Sequence, residues 1–194
     1  MIKTFSIVVL LTTLFNFGSF AEEIQAFNFT KEEFDNLTVR KIKKKTKYTL
    51  GSNENGNFLK AEAEGQASGL GKEILIDLNK TPFLNITWKV EKDLSGIDEK
   101  SKKGHDYAAR VFVIKKTGST ALSNRAINYV FSSNEEIGQY WRSPFTKKSI
   151  DYVLATTKTN NNEWVTVKTN VKEDFKKLHD LDVNELNGGA IMTD

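Results

Sequence analysis

The sequence predicts an all-β protein, an antiparallel β-sandwich or barrel with one short helix near its carboxyl end. Short runs rich in β-branched and aromatic residues recur at fairly regular spacing, separated by clusters of Gly, Asn and Ser. This pattern is typical of antiparallel sandwiches and barrels. Several runs alternate apolar and polar side chains, as half-buried strands do. The runs are KYTLG, FLKAEAE, KEILIDL, FLNITWKVE, YAARVFVIKK, RAINYVFSS, SIDYVLATTKT and EWVTVKT.

One helix is predicted late in the chain, over roughly Val171 to Asp180. Asn170 and Glu173 form an N-cap and N3 pair, and apolar residues then fall at i, i+4 and i+7 from Val171. Such spacing gives a helix one apolar stripe, which can dock on the sandwich. A second capping box, TKEE from Thr30, predicts a shorter helical turn near the amino end.

The first residues have the features of an export signal. Lys3 precedes the apolar run SIVVLLTTLFNFG, and Ser19–Ala21 supplies small residues at −3 and −1. We expect cleavage after Ala21, a periplasmic or secreted location, and a single β-sandwich domain over 22–194. An uncleaved anchor is disfavoured because an uninterrupted apolar span of about 20 residues is missing. No later segment is apolar enough to be transmembrane.

Charge and cysteine content narrow the classes of partner and site. Cysteine is absent, so neither disulfides nor thiolate metal sites support the fold. The net charge is only +3, and the dense basic run is Val39 to Lys47. We interpret this run as a lysine-rich edge strand that resists pairing with other chains. The alternative is a contact with an anionic glycan or lipid headgroup; an exported protein gives no reason to expect nucleic acid.

The stretch GHDYAARVFVIKK combines a histidine, an aspartate and an arginine at the start of a strand. Asp106 and Arg110 share one face but lie roughly 13 Å apart at 3.3 Å per residue, too far to pair within the strand. We expect Arg110 to be either a buried guanidinium or a ligand contact. Burial would require a carboxylate, with Asp106, Glu91 and Asp151 as candidates. His105 is given no proton-transfer role.

Aromatic residues supply the other candidate binding positions. Three aromatic residues lie within predicted strands, and we expect all three in the core: Trp88, Tyr129 and Trp164. Tyr140 and Trp141 lie in NEEIGQYWRSPFT, which reads as a loop of a dozen or more residues. Such long loops are often functional, so these two residues either contact a ligand or plug one end of the sandwich.

The sequence lacks the common motifs of zinc sites, serine nucleophiles and dinucleotide-binding loops. Two histidines without an H-E-x-x-H pair do not make a zinc site. There is no G-x-S-x-G elbow, and the glycines at 65, 69 and 71 are wrongly spaced for a dinucleotide loop. No cofactor and no catalytic residue is predicted. A carboxylate pair for glycoside hydrolysis and a structural calcium site of Asp, Asn and backbone oxygens both stay open.

An ordered set of segments resembles an uncharacterised bacterial exported family, domain of unknown function 3047. The segments are FLKAEAEGQASGLGKEILID, ITWKVEK, GHDYAARVFVI, AINYVFS, SPFT, EWVTVKTNVKEDF and GGAIMTD. His105 stands where the family's GDDYAAR motif has an acidic residue, so a catalytic base at this position is not expected. The resemblance implies a galactose-binding-like jelly roll exported to the periplasm, and it implies no known reaction.

The resemblance also implies a further closing strand after AIMTD, whereas the sequence ends at Asp194. We therefore expect a domain shortened at its carboxyl end, with an unpaired strand edge. Alternatively, the segment at the amino-terminal end of the domain takes the place of that closing strand and completes the sheet.

These observations predict a non-enzymatic exported module that binds a glycan or another envelope component. The candidate ligand-binding residues are Asp106, Arg110, Tyr140 and Trp141. One alternative is a hydrolase that acts on envelope glycan through paired carboxylates. A second is an assembly module that meets another protein along an open strand edge.

Overall fold

The computed structural model describes residues 23–120 and 123–194. The predicted export signal, residues 1–21, lies outside these described residues. Across them, strands account for 46% and helices for 9%, which confirms an all-β protein with little helix. Neither of the two helices found in these ranges is long and apolar enough to cross a membrane.

The predicted runs form strands close to their expected positions, and one strand forms where a loop was expected. In chain order the elements are α1 Lys31–Asn36, β1 Thr38–Lys43, β2 Lys47–Asn53, β3 Gly56–Glu62, β4 Ala67–Asp77, β5 Phe83–Trp88, β6 Ala109–Lys115, β7 Arg125–Ser132, β8 Tyr140–Arg142, β9 Ser149–Thr156, β10 Val165–Asn170, α2 Val171–His179 and β11 Glu185–Thr193.

The main sheet has seven strands in the order β1-β4-β11-β6-β7-β9-β8, and two ribbons, β5–β10 and β2–β3, account for the other described strands. Most neighbours are antiparallel, but β7 and β9 run parallel, so the wholly antiparallel prediction was wrong at this pair. A parallel pair needs a long crossover, which residues 133–148 supply. The jelly-roll topology implied by the resemblance stays a prediction.

The core lies between the main sheet and a layer made of the β5–β10 ribbon and α2. Trp88 on β5 packs against Phe131 on β7, with ring centroids 5.4 Å apart. From α2, Val171, Phe175 and Leu178 enter the same core. This packing of two layers is the predicted β-sandwich.

The helix α2 begins where its capping residue predicts. The Asn170 side chain accepts a hydrogen bond from the Glu173 backbone N–H, and the helix ends at His179. At the amino end, α1 follows the Thr30 cap in the same way, and the Thr30 hydroxyl accepts from the Glu33 N–H. Both capping predictions are confirmed.

The edges of the main sheet are β1 and β8. All six residues of β1 are exposed, which confirms the lysine-rich edge strand. The last strand, β11, pairs with β4 on one side and β6 on the other. β11 is therefore an interior strand of the sheet, and the further closing strand stays a prediction.

Candidate functional site

Arg110 lies on β6 with only 5% of its surface exposed. Its Nη2 group forms an ion pair with the side chain of Asp194, which follows β11. The register places Met192 opposite Arg110, and this brings the end of β11 beside the guanidinium. Asp194 also accepts a 2.9 Å hydrogen bond from the backbone N–H of Tyr107. Arg110 is thus buried and paired, and its partner is none of the three predicted carboxylates.

None of those three carboxylates bonds directly to Arg110, and Glu91 is exposed. Asp106 is exposed in the segment before β6, where it can remain hydrated. Asp151 on β9 is fully buried and binds His105 instead, with Nε2 and Oδ2 2.8 Å apart. Its other oxygen accepts a 2.7 Å hydrogen bond from the Asn128 amide. Because β7 and β9 pair with Asn128 beside Asp151, the sheet register itself assembles this contact.

These residues form one buried polar cluster, the Arg110 network: Arg110, Asp194, His105, Asp151 and Asn128. His105 Nδ1 lies 3.5 Å from Arg110 Nη1, so the imidazole joins the two halves. The rings of Tyr107 and Phe145 pack edge-on against His105, with centroids 5.2 and 5.4 Å away. His105 is 7% exposed, so this His–Asp pair is largely shielded from solvent.

Burial dominates the electrostatics around the Arg110 network. It raises the pKa of the Asp194 carboxyl, and the Arg110 guanidinium opposes that effect. It also raises the pKa of the Tyr107 phenol well above its ordinary value, so Tyr107 stays protonated. The Tyr107 hydroxyl donates to the backbone carbonyl of Glu99, 3.3 Å away. The cluster joins β6, β7, β9 and the end of β11, while Arg110 Nε and Asn128 Oδ1 are buried without a hydrogen-bond partner among the described residues.

Tyr140 and Trp141 lie on a short edge strand, β8, and not in the long loop predicted from sequence. Trp141 pairs with Asp151 and Tyr140 with Tyr152, so the two rings point to opposite faces of the sheet. Trp141 is half-buried against a small apolar cluster that includes Tyr107. Tyr140 is 50% exposed, with Lys177 Nζ 5.2 Å from its ring centroid.

The four predicted ligand residues therefore do not form one site. Arg110 and Trp141 both contact Tyr107, since the guanidinium carbon lies 5.0 Å from that ring centroid and Trp141 packs on the same cluster. Asp106 is exposed and forms no ion pair with Arg110, although its charge helps to raise the pKa of Asp194. Tyr140 points to the face of the sheet opposite to Trp141.

A different surface combines exposed aromatic rings with hydrogen-bonding groups. It is the side of the β5–β10 ribbon turned away from the core, here called the outer ribbon face. The register places Thr87 opposite Thr166 and Asn85 opposite Lys168, and all four residues are exposed. The face comprises Phe83, Asn85, Thr87, Trp164, Thr166 and Lys168.

Aromatic rings stand at both ends of the outer ribbon face. Phe83 is 53% and Trp164 45% exposed, so the prediction that Trp164 lies in the core was wrong. Trp88 and Tyr129 are buried, as predicted. The signal for Trp164 was present in EWVTVKT, because a period of two puts it on the face of the polar Thr166 and not with the valines.

The side chains between the two rings are ordered by contacts with one another. The hydroxyls of Thr87 and Thr166 lie 2.8 Å apart. Lys168 Nζ lies 4.4 Å from the Phe83 ring centroid. Trp164 packs edge-on against Phe58 of β3, with centroids 5.5 Å apart. These contacts order the polar groups and the rings relative to one another and to β3.

A family model described as Protein of unknown function (DUF3047) matches residues 32–194. The chain belongs to this family. The match includes the Arg110 network, β8 and the outer ribbon face, and it confirms the family resemblance identified from the sequence. No curated protein matches the chain.

This DUF3047 chain also has an open groove of about 630 Å³. Its polar lining includes Asp77, Asp182 and Glu185. A hydrogen bond from Lys115 lowers the pKa of the Glu185 carboxyl. Over residues 23–120 and 123–194, no group of three or more His, Asp or Glu side chains could hold a metal ion.

Proposed function

We propose that this DUF3047 protein is an exported, non-enzymatic module that binds a glycan or a glycan-bearing envelope component on its outer ribbon face. The observation that carries the proposal is the placement of two exposed aromatic rings, Phe83 and Trp164, at the ends of one polar strip. Apolar ring faces favour the C–H faces of pyranose rings, and hydroxyl, amide and ammonium groups bind sugar hydroxyls.

The dimensions of the face favour an oligosaccharide over a single sugar. Phe83 pairs with Asn170, which is six residues from Trp164. At about 3.3 Å per residue, the two rings are separated by roughly 20 Å along the strand. One monosaccharide cannot contact both ends, whereas an extended chain can contact both rings and the polar groups between them.

A glycan array tests the proposal. We expect the wild-type protein to bind selected oligosaccharides and the Phe83→Ala/Trp164→Ala variant to lose that binding. An aromatic anchor commonly contributes about 2 kcal/mol, so each ring accounts for about thirtyfold in affinity. Tyr140→Ala is the control, because Tyr140 is a 50% exposed aromatic residue outside the ribbon. Equal loss in both variants, or no binding by the wild type, would contradict the proposal.

The runner-up function is hydrolysis of an envelope glycan. Its supporting observation is the open groove, where Asp77, Asp182 and Glu185 are candidates for the paired carboxylates that glycoside hydrolysis needs. Release of reducing ends from a glycan by the wild type, abolished in Asp77→Asn or Glu185→Gln, would favour this function. A glycan that binds the ribbon and is recovered intact would favour the binding module.

A further inference from the structure

The positive charge of the chain is concentrated along one edge of the main sheet. Residues 39–47 contain six cations and no acid, whereas the whole chain has a net charge of +3, so the remainder has a net charge of −3. Five of these cations, here called the basic edge, are exposed on β1 and the turn that follows it. They are Arg40, Lys41, Lys43, Lys44 and Lys45.

No acidic side chain neutralises the basic edge within the described part of the chain. Across the strand pair, Arg40 faces Gly69, Lys41 faces Ser68 and Lys43 faces Ala67. None of the five cations is in a salt bridge there, in contrast to Lys72, which pairs with Glu33. An exposed strand usually gains from opposite charges across the pair. This one leaves its cations available to an external anion.

Exposed aliphatic side chains are interleaved with the cations. Val39 is 43% and Ile42 59% exposed. The register shifts between Lys41 and Lys43, so Ile42 lies at an irregularity of the edge strand. A soluble polyanion would use the cations but not Ile42. The interface of a bilayer offers phosphate groups to the cations and acyl-chain boundaries to the aliphatic residues.

We propose that the basic edge docks the protein on a membrane surface with anionic lipid headgroups, edge-on, with Ile42 entering the interface. The site is separate from the outer ribbon face and does not depend on glycan binding. Docking of this kind is electrostatic in its main part, so binding falls as salt screens the charges.

Sedimentation of the purified full-length chain with lipid vesicles tests the docking. Binding to vesicles of phosphatidylglycerol mixed with phosphatidylcholine is compared with binding to vesicles of pure phosphatidylcholine. The second measurement gives the binding that does not require anionic headgroups. Each basic residue near an anionic surface adds about fivefold to binding. Lys41→Gln/Lys43→Gln/Lys45→Gln should therefore lower binding to the anionic vesicles about a hundredfold. Lys44 is left unchanged because its φ of 56° suits few replacements.

The matched control neutralises three exposed lysines away from β1, Lys92→Gln/Lys102→Gln/Lys103→Gln, with the same change in net charge. It should keep most of the binding, and Ile42→Ser should lose part of it. Equal losses in the two triple variants would overturn the docking site, because net charge alone would explain them. Absence of selective binding to anionic vesicles would overturn it too, as would binding to dextran sulfate without binding to vesicles.

Discussion

Arg110 and Asp194 are separated by more than eighty residues in sequence, yet they form a buried ion pair in the fold. Local spacing excludes a pair between Arg110 and Asp106, but it cannot indicate which distant strand supplies the acid. That information lies in the register between β6 and β11. The same limit applies to His105 and Asp151, which β9 brings together. The sequence left Arg110 either buried with a carboxylate partner or in contact with a ligand, and the sheet topology identifies the partner.

The substitution Arg110→Ala should strongly lower the free energy of unfolding. The change leaves the buried Asp194 carboxyl without its cation, which typically costs about 3–5 kcal/mol. Urea unfolding followed by circular dichroism measures the difference in free energy. Arg40→Ala is the control, since Arg40 is exposed on β1 and its loss should change stability by about 0.5 kcal/mol or less. A similar small effect from both variants would contradict the role of the ion pair.

His179 should make stability depend on pH. Burial lowers the pKa of its imidazole, and Nε2 donates a hydrogen bond to the Ala126 carbonyl oxygen, 2.9 Å away. In the unfolded chain the imidazole has its ordinary pKa of 6.5. As the pH falls below that value, the unfolded chain therefore binds more protons than the folded chain. The stabilising contribution is present above that pH and is lost as the pH falls through the lowered pKa of the folded state.

Replacing His179 by glutamine isolates this effect, because the amide can still donate to Ala126 while it does not titrate. Free energies of unfolding measured in urea between about pH 7 and pH 5 should fall less steeply in His179→Gln than in the wild type. Parallel pH profiles would show that His179 does not contribute.

Among the elements, most strands follow directly from alternation of polar and apolar residues and from turn signals. The hairpin of β2 and β3 forms around the predicted turn, and α2 starts at its predicted cap. The three-residue strand β8 was missed because polar loop residues surround Tyr140–Arg142 and only its pairing with β9 makes it a strand. The exposed position of Trp164 was predicted wrongly because large aromatic residues are usually buried in sandwich cores. Its place in the alternation of polar and apolar residues was given less weight.

The two capped helices should respond differently to loss of their caps. Asn170→Ala should lower the free energy of unfolding by about 1 kcal/mol, the usual contribution of an N-cap, because α2 buries Val171, Phe175 and Leu178 in the core. Thr30→Ala should have a smaller effect on global stability, since α1 has no buried residue. Chemical denaturation of the two variants would contradict this account if Thr30→Ala were the more harmful change.

Close packing also fixes one element boundary. A Cβ added to Gly104 would lie 2.5 Å from the backbone oxygen of Asp98, so this position before β6 requires glycine for its close approach to another segment. The segment before β6 is thus held by the close approach of Gly104 to Asp98 and by the contact of His105 with Asp151.

At the scale of the whole molecule, export remains a prediction from the first residues. Expressed in a Gram-negative host, the protein should be recovered from the periplasm with Glu22 as its first residue, since cleavage is expected after Ala21. Amino-terminal sequencing or intact mass measures this. Recovery of a chain that retains Met1 in the membrane fraction would point to an uncleaved anchor.

The central claim is that a glycan binds across the β5–β10 ribbon. The most direct measurement is an amide-resolved NMR titration of the wild-type protein with the oligosaccharide that binds best on the array. The account predicts that chemical-shift changes cluster on β5, β10 and the Trp164 indole, while the strands of the Arg110 network change little. Changes confined to the open groove or to β8, with the ribbon unaffected, would contradict it.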